Sequence, residues 1–439
     1  MKINKNNKKF FQLKILLILL LLLTSAYNAI SDHIYDTMES LTFNPVGSGS
    51  RAIGMGSAFI AIADDATAAS WNPAGLIQLK TPEISVVCDF SNWIEKNEFF
   101  MNREQSASSQ MYEKNINYFS LTYPFRLLNR DMILSLNYQH LFEFEYELNM
   151  KSEKKYTQIS QYSISQDGKL YALGIALCFQ LKPELSVGIT FNFWENWPGS
   201  NGWEQTTRGV MPVNEEIYFD DSIFHKYSFK GFNLNIGILW DITDYFRIGA
   251  VIKTPFTADL EHTTIFTYLS PLSSGQNPPN IYSEKLDMPL SYGLGIAYRF
   301  SDNFTLSTDF YSTNWSKLIL TDQEGGKYSF INGKKIEQSN VKPTYHIRSG
   351  VEYLIMNKRL EYTIPIRGGI FYDPMPADGS PDDYYGLSLG TGISIAPYVF
   401  DIAFQYKFGI NVGESKLKSF NFSQNIHELR FYSSFIYHF

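Results

Sequence analysis

Large apolar residues recur at every second position along most of this chain. Across 170–180, Tyr171, Leu173, Ile175, Leu177 and Phe179 share one parity, against Ala172, Gly174, Ala176, Cys178 and Gln180. The same alternation runs through 231–240, 291–300 and 398–408. In the last, Tyr398, Phe400, Ile402, Phe404, Tyr406 and Phe408 oppose Val399, Asp401, Ala403, Gln405 and Lys407. Period two is the mark of a strand with two unlike faces. Fourteen such strands are expected, at 82–93, 116–124, 131–147, 169–181, 184–195, 229–241, 244–256, 286–300, 303–315, 344–356, 360–373, 384–396, 398–410 and 427–438.

A soluble sandwich alternates too, but it turns its large residues inward and its charges to water. Here the second face is mostly Gly, Ala, Ser and Asn. That fits an apolar band facing lipid, backed by a polar and uncrowded lumen. The charges obey the same division: Arg247, Lys253, Arg299, Asp309, Arg348, Glu352, Glu361, Arg367, Asp401 and Lys407 all take the lumen parity. On the lipid face near the midplane a charge would cost about 2–4 kcal/mol. Short turns near 127–130, 182–183, 241–244, 301–303, 356–358 and 396–397 alternate with longer loops near 94–115, 148–168, 196–228, 257–285, 316–343, 374–383 and 411–426. Short turns at one end and long loops at the other are the rule for bacterial barrels, and they put both termini on the periplasmic side. The expected fold is all-β, a transmembrane antiparallel β-barrel of about 14 strands over 82–439, preceded by a separate N-terminal segment.

The first residues change the picture from fold to location. Lys2, Lys5, Lys8, Lys9 and Lys14 precede an unbroken apolar run from Ile15 to Leu23, and small residues follow. This order reads as a secretory signal over 1–29, cleaved after Ala26 or Ala29, and the run is too short for a membrane helix. The 37 basic residues include those five lysines, so 32 remain against 44 acidic ones. A surplus of acid argues against nucleic acid as a partner. Phe 34, Tyr 29 and Trp 7 make 16% aromatic residues, which suits a barrel wall. Cys88 and Cys178 are far apart and are expected as buried free thiols.

Between leader and first strand lies 30–81, rich in small residues: GSGSRAIGMGSAFIAIADDATAASWNPAGL. Gly47 to Ala52 matches a dinucleotide fingerprint, but no strand–helix–strand context surrounds it, so no cofactor is expected. Gly54 and Gly56 permit turns. Asp64 and Asp65 suit a helix cap near Ala66, and Asn72-Pro73 suits a turn. Together, Arg51, Gly54, Gly56, Ala63–Ala66 and the run Asn72, Pro73, Ala74, Gly75 resemble the hatch of the FadL-type long-chain fatty-acid transporters. YFRIGAVIKTPF (245–256), NWSKL (314–318) and RGGIFYDPMP (367–376) are similar to recurrent barrel segments of that family. The resemblance implies a fourteen-stranded barrel plugged by the hatch, taking up hydrophobic molecules through a hatch rearrangement and a gap in the wall. In the family that gap is associated with the strand near 131–147 here. A runner-up is a secretion or assembly component on the same barrel, like the type IX shuttle proteins that also resemble this family.

Charged lumen positions offer further candidate chemistry. Arg247, Arg299, Arg348 and Arg367, with Lys253 and Lys407, are candidate partners for a substrate carboxylate or for Asp64 and Asp65. The plainer expectation is pairing with Glu352, Glu361, Asp309 and Asp401 across the lumen. Pro365 lies inside a strand and cannot donate to the ladder, so a bulge or local opening is expected there. Glu215, Glu216, Asp220 and Asp221 read as a solvated acidic loop, as do Asp382 and Asp383. The seven histidines carry no metal motif, and no catalytic set stands out. Expected partners are a hydrophobic small molecule or lipid, outer-membrane lipid, and the barrel-assembly machinery. The last would read the C-terminal strand, in which Leu429, Phe431, Phe435, Tyr437 and Phe439 share the lipid parity.

Overall fold

The computed structural model describes residues 42–43, 47–99, 107–151, 161–212, 218–270, 273–416 and 422–439. The leader 1–29 and its cleavage site, and most of 30–46, lie outside the described residues.

The wall has fourteen strands: β1 (Glu83–Phe99), β2 (Ala107–Leu127), β3 (Arg130–Glu143), β4 (Gln161–Lys182), β5 (Leu185–Trp194), β6 (Tyr218–Asp241), β7 (Phe246–Lys253), β8 (Ser291–Ser301), β9 (Phe304–Thr313), β10 (Thr344–Asn357), β11 (Tyr362–Tyr372), β12 (Tyr385–Ile395), β13 (Tyr398–Val412) and β14 (Phe422–His438). Each pairs antiparallel with the next. β14 then pairs with β1 from Glu83↔His438 to Phe99↔Phe422, which closes the barrel. Closure leaves no sheet edge to aggregate. Leu136, Ile175, Ile236, Leu294, Ile347, Leu389, Phe404, Phe431 and Phe435 are exposed on the outer face. So continuous an apolar band is a surface for a bilayer to cover.

The expected long loops are in good part strand. Tyr146–Lys151, Gly202–Pro212, Phe256–Ser270, Ser273–Gln276 and Asn280–Met288 extend the wall at the long-loop end. Polar residues occupy both faces there, as in 256–270, so the apolar period fades while backbone pairing continues. Asp220 and Asp221 thus belong to β6, and Asp220 pairs with Arg208. Glu215 and Glu216 lie outside the described residues. Both cysteines are free, but only Cys178 is buried; Cys88 faces outward.

The N-terminal segment lies within the barrel, toward the short-turn end. It holds two short helices, α1 (Ser50–Gly54) and α2 (Ala68–Trp71), then a 3-10 helix over Pro73–Gln78. Its backbone passes so close to the wall that side chains have no room. A Cβ on Gly188, Gly237, Gly249, Gly350 or Gly369 would run into Pro73, Asn72, Ile60, Met55 or Gly56, respectively. The small residues of the inner parity therefore make space for this segment. One apolar cluster joins Met55, Phe59, Ile60, Trp71 and Leu76 to Val251, Cys178 and Tyr311 of the wall. A second cluster, the aromatic cap, fills the long-loop half, with Trp194, Trp203, Phe229, Trp315, Leu318 and Phe330.

Candidate functional site

The charged residues of the N-terminal segment are tied to the wall and to one another. Arg51 leaves α1 and grips Glu352 of β10 with two nitrogens, at 2.9 and 2.8 Å, while its third reaches Asp64 at 2.6 Å. Arg367 of β11 donates to the same Glu352 at 2.7 Å and to Asp401 of β13 at 2.6 Å. The result is one network, Asp64–Arg51–Glu352–Arg367–Asp401, from the segment to three strands. Such charges lie in the lumen at little net gain, but losing one member strands the others. Asp309 of β9 uses one oxygen to accept the backbone N–H groups of Phe59 and Ile60, at 2.6 and 2.9 Å.

The remaining segment residues have structural explanations. Gly54 packs against Gly390 of β12, and Gly56 has φ +65°, a conformation that favours glycine. The Asp65 carboxylate accepts the N–H and hydroxyl of Thr67, just ahead of α2. Burial pushes the Asp65 carboxyl up to about 6, against the pull of Arg51 and the Thr67 hydrogen bonds. Asn72 donates to the carbonyls of Ile60 at 2.9 Å and Ile238 at 3.0 Å, and accepts from Ala74 N–H. Pro73 begins the 3-10 helix, where its missing N–H costs nothing. The carbonyl of Ala74 accepts from Ser186 and Cys178. Gly75 packs on Ala63, with no space for a Cβ.

The candidate lumen cations divide. Arg247 pairs with Asp241 and donates to Gln78 of the segment at 2.5 Å. Arg348 binds Asp373, beyond the end of β11, through two bonds of 2.9 Å. Burial opposes ionisation of Asp373, but Arg348 and His346 outweigh it and hold the carboxyl well below the usual range. Lys407 pairs with Glu428. Two expected positions differ. Arg299 is exposed at the short-turn end and makes no ion pair with a described residue, and Glu361 lies in a turn rather than on the lumen wall. Parity gave their direction but not their height in the barrel.

Between the two apolar clusters lies a cavity of about 60 Å³. Its apolar side is Leu141, Phe142, Trp194, Phe256, Met288, Pro289, Tyr311 and Trp315; its polar side is Asn192, Asn233, Asn235, Lys253, Thr254, Ser291 and Thr313. Trp194 donates to Asn233 at 2.9 Å and Trp315 to Thr344 at 2.8 Å, which fixes both indoles. The Asn192 Oδ1 is buried without a protein partner. This amphipathic chamber can hold an apolar molecule carrying a small polar group. Sequence reasoning missed it, except for Lys253. The available signal was Trp194, a large aromatic residue on the parity of Ser186, Gly188, Thr190 and Asn192.

Two irregularities of the wall bear on a lateral opening. At Pro365, β11 and β12 skip the rungs at Ile364 and Pro365, then resume in the same register, with no bulge. The Pro365 carbonyl accepts from the Thr391 hydroxyl instead, at 2.9 Å. The second irregularity is larger. β2 and β3 pair only as far as Tyr118↔Gln139, although β2 continues along β1 to Ala107. Beyond that point Phe142 and Glu143 pair with Thr42–Phe43 of the N-terminal stretch. A register shift between His140 and Phe142 leaves Leu141 without a rung, and both Leu141 and Phe142 line the cavity.

The family model described as outer membrane protein transport protein (OMPP1/FadL/TodX) matches residues 46–428. Among solved structures, the chain is similar to a Pseudomonas aeruginosa FadL homologue at 15% identity, covering 90% of this chain and 99% of that one, with a TM-score of 0.62. The Pseudomonas putida toluene transporter TodX gives 15% identity, coverage of 91% and 100%, and a TM-score of 0.60. The CymD monoaromatic hydrocarbon channel gives 16%, 91% and 99%, and 0.55. No curated protein matches in sequence. At these identities the solved structures speak for the fold, and the family model, which spans nearly the whole barrel and the segment inside it, supplies the kinship: the chain belongs to the OMPP1/FadL/TodX family of outer-membrane transport proteins for hydrophobic compounds.

Proposed function

We propose that this protein takes up hydrophobic molecules across the outer membrane through the cavity between its N-terminal segment and its aromatic cap, with that segment acting as a hatch. One observation carries the reading: the cavity is lined by five aromatic rings and borders the place where β2 and β3 part. An apolar molecule held there gains a way sideways into lipid, clear of the Arg51–Glu352 network, once Thr42–Phe43 leaves the edge of β3. At about 60 Å³ the cavity is far smaller than the roughly 300–1,000 Å³ of ordinary ligand pockets, so a long chain enters only when segment or cap moves. Long-chain fatty acids fit the polar-and-apolar lining, and so do monoaromatic compounds such as those named for the solved relatives. The role is transport and not catalysis. Short turns and termini face the periplasm, the 1–29 leader directs export, and the assembly machinery reads β14 up to Phe439.

The test is calorimetric binding of oleate and of toluene to purified protein, beside a variant lacking 47–79. Binding by the intact chain and its loss in the deletion are expected. No binding of either ligand, with a stoichiometric protein partner copurifying instead, would overturn transport in favour of a secretion or assembly role.

A further inference from the structure

Away from the cavity, the wall extension holds an unusual pair of histidines. β6 pairs with Phe256–Ser270, with His225 opposite Thr264 and His262 opposite Tyr227. His225 and His262 are therefore diagonal neighbours on one sheet face. Nδ1 of His225 lies 2.9 Å from Nε2 of His262, and Oγ1 of Thr264 lies 3.3 and 3.0 Å from those same two nitrogens. Three donor atoms thus form a nearly equilateral triangle. Its circumscribed circle has a radius of about 1.8 Å, so an ion about 1 Å out of the plane lies about 2.1 Å from all three, a bond length usual for zinc with nitrogen or oxygen ligands.

The surroundings point the same way. Nδ1 of His262 faces Oε1 of Glu284 at 3.3 Å, and a proton shared there leaves the Nε2 lone pair free for a metal. Tyr227 stacks on the His262 ring at 4.1 Å and holds its plane. His262 is buried, whereas His225 and Thr264 are half-exposed and give access. No group of three or more His, Cys, Asp or Glu is placed for a metal among the described residues, so the third ligand here is a hydroxyl and a fourth position stays open. We propose that His225, His262 and Thr264 bind a divalent ion of the zinc or copper class, with Glu284 orienting His262.

The test uses the full-length purified barrel, stripped with chelator, and titrated with zinc chloride by calorimetry and with copper(II) by electron paramagnetic resonance. One equivalent should bind, with a nitrogen signature in the copper spectrum. His225→Ala and His262→Ala should each abolish it, Thr264→Val should weaken it, and Glu284→Gln should weaken it about 10- to 100-fold. His438→Asn should change nothing. Circular dichroism checks that the barrel persists; if a histidine variant fails to fold, Thr264→Val and Glu284→Gln decide. No binding by the native chain, or binding that these substitutions leave intact, would reduce the trio to a hydrogen-bonded cluster and end the proposal.

Discussion

Two interruptions of the wall look alike in the ladder and differ in consequence. At Pro365 and at the parting of β2 and β3, ladder rungs are missing from a closed sheet. Behind Pro365 stand Arg367, Glu352 and Asp401, bound to one another and to Arg51. A hydrophobic molecule meeting that network would have to strip buried charges of their partners. Behind the β2–β3 parting stand Leu141 and Phe142, which line the cavity, beside the buried His140–Glu143 pair, whose carboxylate also accepts from Asn115. A gap becomes a route only where the lumen behind it is apolar and has space.

Three substitutions and one deletion put this contrast to the test. The largest effect is expected at Glu352, which two arginines share. Glu352→Ala should weaken docking of the N-terminal segment by about 3–5 kcal/mol, seen as protease cleavage within 47–79 at lower urea. Next, deleting Leu141 should bring β3 back into register with β4 and draw Phe142 across the cavity mouth. Uptake of a labelled hydrophobic substrate should fall about tenfold, equal to about 1.4 kcal/mol, with the barrel intact by circular dichroism.

A smaller effect concerns pH. Burial raises the Asp65 carboxyl to about 6 from its ordinary 3.8, so the folded segment holds that proton more tightly than the unfolded chain does. The associated stability is full below about 4 and lost as pH rises through about 6. Segment docking should therefore tighten between pH 7 and 5. Asp65→Asn, which keeps the acceptor for Thr67, should flatten that response in the same proteolysis assay. Smallest is Pro365→Val, which restores a donor to the ladder. It should shift stability by no more than about 1 kcal/mol and leave uptake unchanged. A rise in uptake there would make Pro365 a gate after all.

The strand count and the two faces were legible because the residues that face lipid have no alternative. Leu294, Ile296 and Tyr298 on one parity leave Gly293, Gly295 and Ala297 for the lumen. The extensions past the membrane were not legible, since His262, Thr263 and Thr264 obey no apolar period while their backbone stays paired. Lumen charges could be named but not matched. Glu352 and Arg51 are 301 residues apart, and only barrel closure brings them together. Asp309 invited an arginine as partner and took two backbone N–H groups instead, a choice that side-chain chemistry does not encode. Pro365 announced a missing rung, because proline lacks the N–H. What stands behind a rung depends on distant strands.

The central claim is that the cavity between segment and cap holds the substrate, and Asn192 tests it most directly. Its Oδ1 has no protein partner, so Asn192→Phe fills the cavity without breaking a protein hydrogen bond of that atom. Calorimetry of oleate and toluene on native and substituted barrels of equal heat stability should show binding in the first and none in the second. Undiminished affinity in the filled barrel would contradict the account.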